Sequence, residues 1–162
     1  MSRQIKNIIA ITVFLICIGL INVAGQNIEI EIRGMNAFTF ILIIAVLLQV
    51  IFFIPSFLLK TEKYYDLVGS LTYITTISLA YLSVENKTMI DSIIYFYVMV
   101  WALRLGIYLF RRVRNDGKDV RFEKAKRHFF WFLQYWMGQA LWVSLTACAA
   151  IIAILSPEED TL

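Results

Sequence analysis

Residues 37–59 read AFTFILIIAVLLQVIFFIPSFLL, 23 positions with no charged side chain and one amide, Gln49. As a helix rising 1.5 Å per residue this stretch is about 35 Å long, enough to cross ~30 Å of hydrocarbon. Four further apolar runs flank it, roughly Ile8 to Ala24, Leu67 to Val84, Met89 to Phe110 and Phe129 to Leu155. The whole chain agrees, with 162 residues, 60% of them hydrophobic, 17% charged and a mean hydropathy of +0.72. Such a composition excludes disordered, collagen-like and soluble globular classes. Open sheets do not span lipid, so the sequence predicts an all-α polytopic membrane bundle of about five transmembrane helices, one domain over residues 1–162.

The basic residues set an orientation. Arg3, Lys6, Lys60, Lys63 and the eight Lys and Arg between Arg111 and His128 fall on one side of the predicted spans, against Arg33 and Lys87 on the other. By the positive-inside rule the N-terminus is cytoplasmic and the C-terminus, with Glu158, Glu159 and Asp160, is outside. A basic start, an apolar run and the exit Val23-Ala24-Gly25 also fit a signal peptide for the first span. Cys17 and Cys148 lie inside apolar runs, where thiols behave as small hydrophobes. With His128 the single histidine, no metal site is expected. Membrane lipids are expected partners and nucleic acid is not.

Polar groups within the spans are the candidates for function. Gln49 serves either an interhelical hydrogen bond or a ligand contact. The third span carries Ser70, Thr72, Tyr73, Thr75, Thr76 and Ser78, whose hydroxyls can bond the carbonyl four residues back. Gly69, Ser70 and Tyr73 share a face, a notch beside a phenol that either packs or donates to a ligand carbonyl. Asp91 follows Thr88 at capping-box spacing, and Asp66, after Tyr64 and Tyr65, suits a helix cap. Arg104 lies inside a span, where an unpaired guanidinium costs several kcal/mol. It shares a face with Tyr108 and Arg111, fitting either an interfacial anchor or an anion site. From Arg111 to Phe122 the basic cluster is interleaved with Asp116 and Asp119, which suits contact with lipid headgroups or an ordered loop whose arginine forks take phosphate. Trp136 and Gln139 lie deep in the fifth span, where they line a cavity or pack.

Three segments carry a family resemblance: Thr61 to Tyr73 (TEKYYDLVGSLTY), Trp101 to Gly106 (WALRLG) continuing through Arg111, Arg112, Asp116, Gly117, Asp119, Arg121 and Phe122, and Gln139 to Val143 (QALWV). Together they resemble the bacterial membrane proteins of domain of unknown function 1295 (DUF1295), which are similar to steroid 5-alpha-reductases. The resemblance implies an inner-membrane reductase in which NADPH delivers hydride to a carbon–carbon double bond conjugated to a carbonyl in a lipid-like substrate. It assigns Tyr73 and Asp66 to the carbonyl, and Arg104, Arg111, Arg112, Asp116, Asp119 and Arg121 to the cofactor. Gln49, Ser70, Trp136 and Gln139 are the substrate-lining candidates. The family's later His-Pro-Asn-Tyr and Gly-Glu pattern has no match, since His128 precedes Phe129. The chain is therefore expected to be the front half of a longer domain, truncated or completed by a second membrane chain. The rival expectation is a non-catalytic membrane protein that binds lipid or a partner membrane protein.

Overall fold

The computed structural model describes residues 2–116 and 120–156. Five long helices make up the bundle: α1 (Arg3–Val23), α2 (Ala37–Leu58), α3 (Tyr65–Ser83), α4 (Met89–Asp116) and α5 (Phe129–Leu155). Short connections make sequence neighbours run in opposite directions. The Arg3 guanidinium sits 4.4 Å from the Trp131 ring, Phe57 meets Phe129 edge-on at 5.2 Å, and the Tyr65 hydroxyl donates to the Tyr135 carbonyl at 2.9 Å. These contacts gather the starts of α1, α3 and α5 and the end of α2 at one end of the bundle. With the last turns of α4 they collect Arg3, Lys6, Lys60, Lys63, Arg111, Arg112 and the bases of residues 121–127 there, which makes this the basic end of the bundle.

The opposite end holds a hairpin that hydropathy did not reveal. Strands β1 (Glu31–Ile32) and β2 (Met35–Asn36) pair antiparallel, Glu31 opposite Asn36, around Arg33 and Gly34 at φ 55° and 76°. Positive φ at both central residues gives a turn whose twist matches the strands. Asn36 then starts α2: its Oδ1 accepts from the Thr39 amide at 3.1 Å while its Nδ2 donates to the carbonyls of Gly25 and Ile28 at 3.1 and 2.8 Å.

Four helices, α1, α2, α5 and Met89–Val113 of α4, are long and apolar enough to cross a membrane. The third helix, expected to be one of five spans, is not among them, because its nine hydroxyl side chains and Asp66 lower its hydropathy. Its place in the bundle explains how it tolerates them. α3 packs against α2, α4 and α5, and eight of its residues are buried. Thr72, Thr76 and Ser83 donate to the carbonyls of Val68, Thr72 and Leu79 at 2.8, 2.9 and 2.7 Å, which satisfies them within their own helix. α5 is the other central element, meeting α1, α2 and α3. α1, with only Asn7 and Ile18 buried, lies on the outside.

Two packing features fix the helices around α3. A methyl group at Gly106 would lie 2.5 Å from Ser70 Oγ and 2.8 Å from its Cβ, so α4 approaches α3 more closely than a side chain permits, and one at Gly69 would displace the Gln139 side chain of α5. Toward the basic end, Phe53, Phe122, Phe132 and Trp136 form a buried aromatic cluster. Tyr65 joins it, 4.8 Å from Phe122 and 5.3 Å from Trp136 between ring centres.

The expected capping box is present at the start of α4. Asp91 Oδ2 accepts from the Thr88 amide at 2.8 Å and Thr88 Oγ1 accepts from the Asp91 amide at 3.1 Å. Replacing Thr88 by Ala removes one half of this pair, at a cost of about 1 kcal/mol. The expected outcome is a roughly fivefold faster hydrogen exchange at the amides of residues 89–92, with the amides of α3 unchanged.

Candidate functional site

The basic end is organised by two carboxylates at the foot of α3. Glu62, 5% exposed, accepts from Lys126 Nζ at 2.7 Å. Asp66 Oδ2 accepts from Arg112 Nη2 at 3.3 Å, and Arg121 Nη2 stands 4.0 Å from its other oxygen. The N-cap of α3 is Tyr64, so Asp66 is a first-turn acid whose carboxylate reaches the guanidinium groups. Beyond α4 the chain makes two 3₁₀ turns, Val120–Phe122 and Ala125–Arg127. Phe122 enters the aromatic cluster at 1% exposure, 4.8 Å from Tyr65 and 4.9 Å from Tyr135. Residues 120–127 are thus folded back on the bundle. Residue 119 and the side chain of residue 116, expected to serve a cofactor, lie outside the described residues.

On α4, Arg104, Ile107, Tyr108, Arg111, Arg112 and Asn115 line a groove of about 540 Å³. Their spacing of three, four and seven places them on one helix face, and of the six the sequence pattern had put Arg104, Tyr108 and Arg111 there. That face is turned away from the bundle. Arg104 lies inside the apolar window Met89–Val113, beside exposed Trp101, Leu103 and Ile107. From Arg104 to Val113 is about 13 Å along the axis, so the guanidinium has to reach the interface or meet an anion. Among the described residues, neither Arg104 nor Arg111 has a carboxylate within 4 Å, whereas Arg112 is shared between the groove and Asp66.

A second set of polar groups lies inside the bundle where α2, α3 and α5 meet. Gln49 is fully buried and donates from Nε2 to Thr72 Oγ1 at 2.8 Å, leaving its Oε1 without a partner among the described residues. Trp136 Nε1, Gln139 Oε1 and Ser144 Oγ on α5 are likewise buried without a partner. Unpaired groups at such depth retain hydrogen-bonding capacity that a ligand can use. Gln139 also borders an open groove of about 390 Å³ with Tyr65, Tyr135 and Trp142. Ser70 points elsewhere, donating to the Ala102 carbonyl of α4. The Tyr73 hydroxyl is bonded to Thr146 Oγ1, and its ring packs edge-on against Trp101 at 4.9 Å.

The expected site residues therefore separate into three places. Gln49, Trp136 and Gln139 each carry a buried polar atom without a partner among the described residues, Arg104, Arg111 and Arg112 share the groove on α4, and Asp66 with Arg121 ties the α4–α5 connection. Tyr73 and Asp66 stand about 10 Å apart along α3 and are not brought together. Glu62, Lys126, Tyr65 and Phe122 were not singled out as site residues. Glu62 offered the only advance signal, a carboxylate between the bases Lys60 and Lys63 at the mouth of a span.

Asp66 is expected to hold the connection closed. Charge-assisted bonds of this kind contribute about 1.5 to 3 kcal/mol, so Asp66→Asn is predicted to raise the rate of trypsin cleavage after Arg121, Lys124 and Lys126 about tenfold in detergent micelles. An unchanged rate would mean that Phe122 and the Glu62–Lys126 pair seat the segment without Asp66.

A family model described as "Protein of unknown function (DUF1295)" matches residues 52–162 of the chain. No curated protein and no solved structure matches it.

Proposed function

The chain belongs to the DUF1295 family, and from that premise we propose that it is the membrane-embedded part of a reductase acting on a lipid-like substrate. The observation that carries this reading is the groove lined by Arg104, Arg111, Arg112 and Asn115. Guanidinium groups present planar forks of donors that match phosphate oxygens in pairs, and a groove of three of them suits the phosphates of a dinucleotide. When bound, NADPH would supply hydride to a double bond conjugated to a carbonyl, as the resemblance to steroid 5-alpha-reductases suggests. The protein's share is binding and orientation. Arg104 and Arg111 hold phosphate, Asp66 positions Arg112 and Arg121 beside them, and the buried Phe122 fixes the segment that carries Arg121. Gln49, Trp136 and Gln139 offer an amide oxygen, an indole N–H and a second amide oxygen to the polar end of a substrate entering from the bilayer. Tyr73 serves the carbonyl by exchanging its bond to Thr146 for one to the substrate. A bacterial inner membrane is the setting we propose.

One observation favours a second reading. The arginine groove opens between the exposed apolar side chains of Trp101, Leu103 and Ile107, which suits the headgroup phosphate of an anionic lipid in a non-catalytic protein.

Fluorescence titration of NADPH into the purified chain in nanodiscs separates the two. On the reductase reading Arg104→Ala and Arg111→Ala each weaken binding about tenfold or more, while Arg33→Ala at the hairpin leaves it unchanged. Absence of NADPH binding, with retention of anionic lipid that Arg104→Ala abolishes, would establish the lipid reading instead.

A further inference from the structure

α1 and α2 follow one another in sequence, yet α1 leans on α5 and meets α2 only weakly. Between them a crevice of about 320 Å³ opens to the outside of the bundle. Its floor is formed by Ile18 and Leu42, both buried, and its rim by Leu15, Ile43 and Leu47, all exposed. The end away from the basic residues is polar. There the Thr39 hydroxyl donates to Asn22 Oδ1 at 2.8 Å, and among the described residues the two N–H groups of the Asn22 amide have no acceptor.

Position along the helices gives this arrangement its meaning. Asn22 lies in the last turn of α1 and Thr39 in the first turn of α2, both helices being long and apolar enough to span a membrane. The polar pair therefore sits at the boundary of the hydrocarbon, the depth of the ester carbonyls of glycerophospholipids. From Asn22 to Leu15 the apolar slot runs about 10 Å into the membrane. Apolar walls do not hold water, and a helix 10 to 12 Å across is too wide for this volume. An extended hydrocarbon chain has both the shape and the polarity profile.

We infer that the crevice between α1 and α2 holds one acyl chain of a glycerophospholipid, its ester carbonyl accepting a hydrogen bond from the Asn22 amide. The site stands at the far end of the bundle from the arginine groove and does not depend on what that groove binds. Gly19 provides the means to test it. A methyl group added there meets no atom within 4 Å, so a larger side chain fills the slot without disturbing the helices.

The experiment uses the full chain in nanodiscs of phosphatidylcholine carrying a photoactivatable diazirine in the upper half of one acyl chain. Irradiation, digestion and mass spectrometry then map the adducts. Adducts on Leu15, Ile43 and Leu47 are expected in at least fivefold excess over those on Phe96 and Val100, which are exposed on α4. Gly19→Leu removes the excess and leaves the α4 adducts unchanged. Asn22→Ala keeps the space and reduces the excess, because the chain loses its fixed depth. Should Gly19→Leu fail to give monodisperse protein, Ile43→Trp fills the slot from the opposite wall and is read in the same way. Rim labelling no greater than that of α4 overturns the inference. So does an excess that survives both fillings.

Discussion

A charge near hydrocarbon has to meet its counterion within the protein or reach water, and at the basic end that requirement falls on Glu62 and Asp66. Glu62 is almost wholly buried against Lys126, and Asp66 lies between Arg112 and Arg121. Removing Glu62 would strand the largely buried Lys126 ammonium, a greater penalty than the net worth of the pair, whereas Arg112 and Arg121 are about half exposed and keep their access to water when Asp66 is removed. Through these contacts the foot of α3 decides where the connection after α4 runs. Once that connection is seated, Phe122 closes the aromatic cluster over Tyr65 and Trp136, and the last turns of α4 present their arginines outward.

What could be read from the sequence follows from the range over which each signal acts. Hydropathy over some 20 residues delimits α2 and α5 almost to the residue, because a span needs continuous apolar length. Helical periodicity likewise placed Arg104, Tyr108 and Arg111 on one face, and the spacing of Thr88 and Asp91 announced the cap of α4. Local signals failed where the element was short or its environment decided. The β1–β2 hairpin has two residues per strand and leaves no period to detect. α3 reads as a span only if its hydroxyls are ignored, and its burial among three helices makes them harmless.

Contacts between distant residues were not legible at all. Asp66 and Arg112 are 46 residues apart and Glu62 and Lys126 are 64, so no spacing rule connects them. Sequence alone suggested a cap for Asp66, whereas Tyr64 occupies that position and the carboxylate serves the loop. The family motif segments, from Thr61 to Val143, do include both partners of the Asp66 pair. They lie wholly within residues 52–162, leaving Gln49 on the part of α2 outside the matched region.

The functional account rests on one claim, that the arginine groove of α4 receives phosphate and that the α4–α5 connection responds to it. Ser70 bonded to the Ala102 carbonyl, and Gly106 against Ser70, keep α3 within contact of α4, so a ligand on α4 stands one helix away from the interior amides of Gln49 and Gln139. Hydrogen–deuterium exchange of the chain in nanodiscs, with and without NADPH, tests this most directly. The account predicts slower exchange confined to the last turns of α4 and to residues 120–127, with the hairpin at residues 31–36 unchanged. Exchange unaltered at the basic end by saturating NADPH would contradict it.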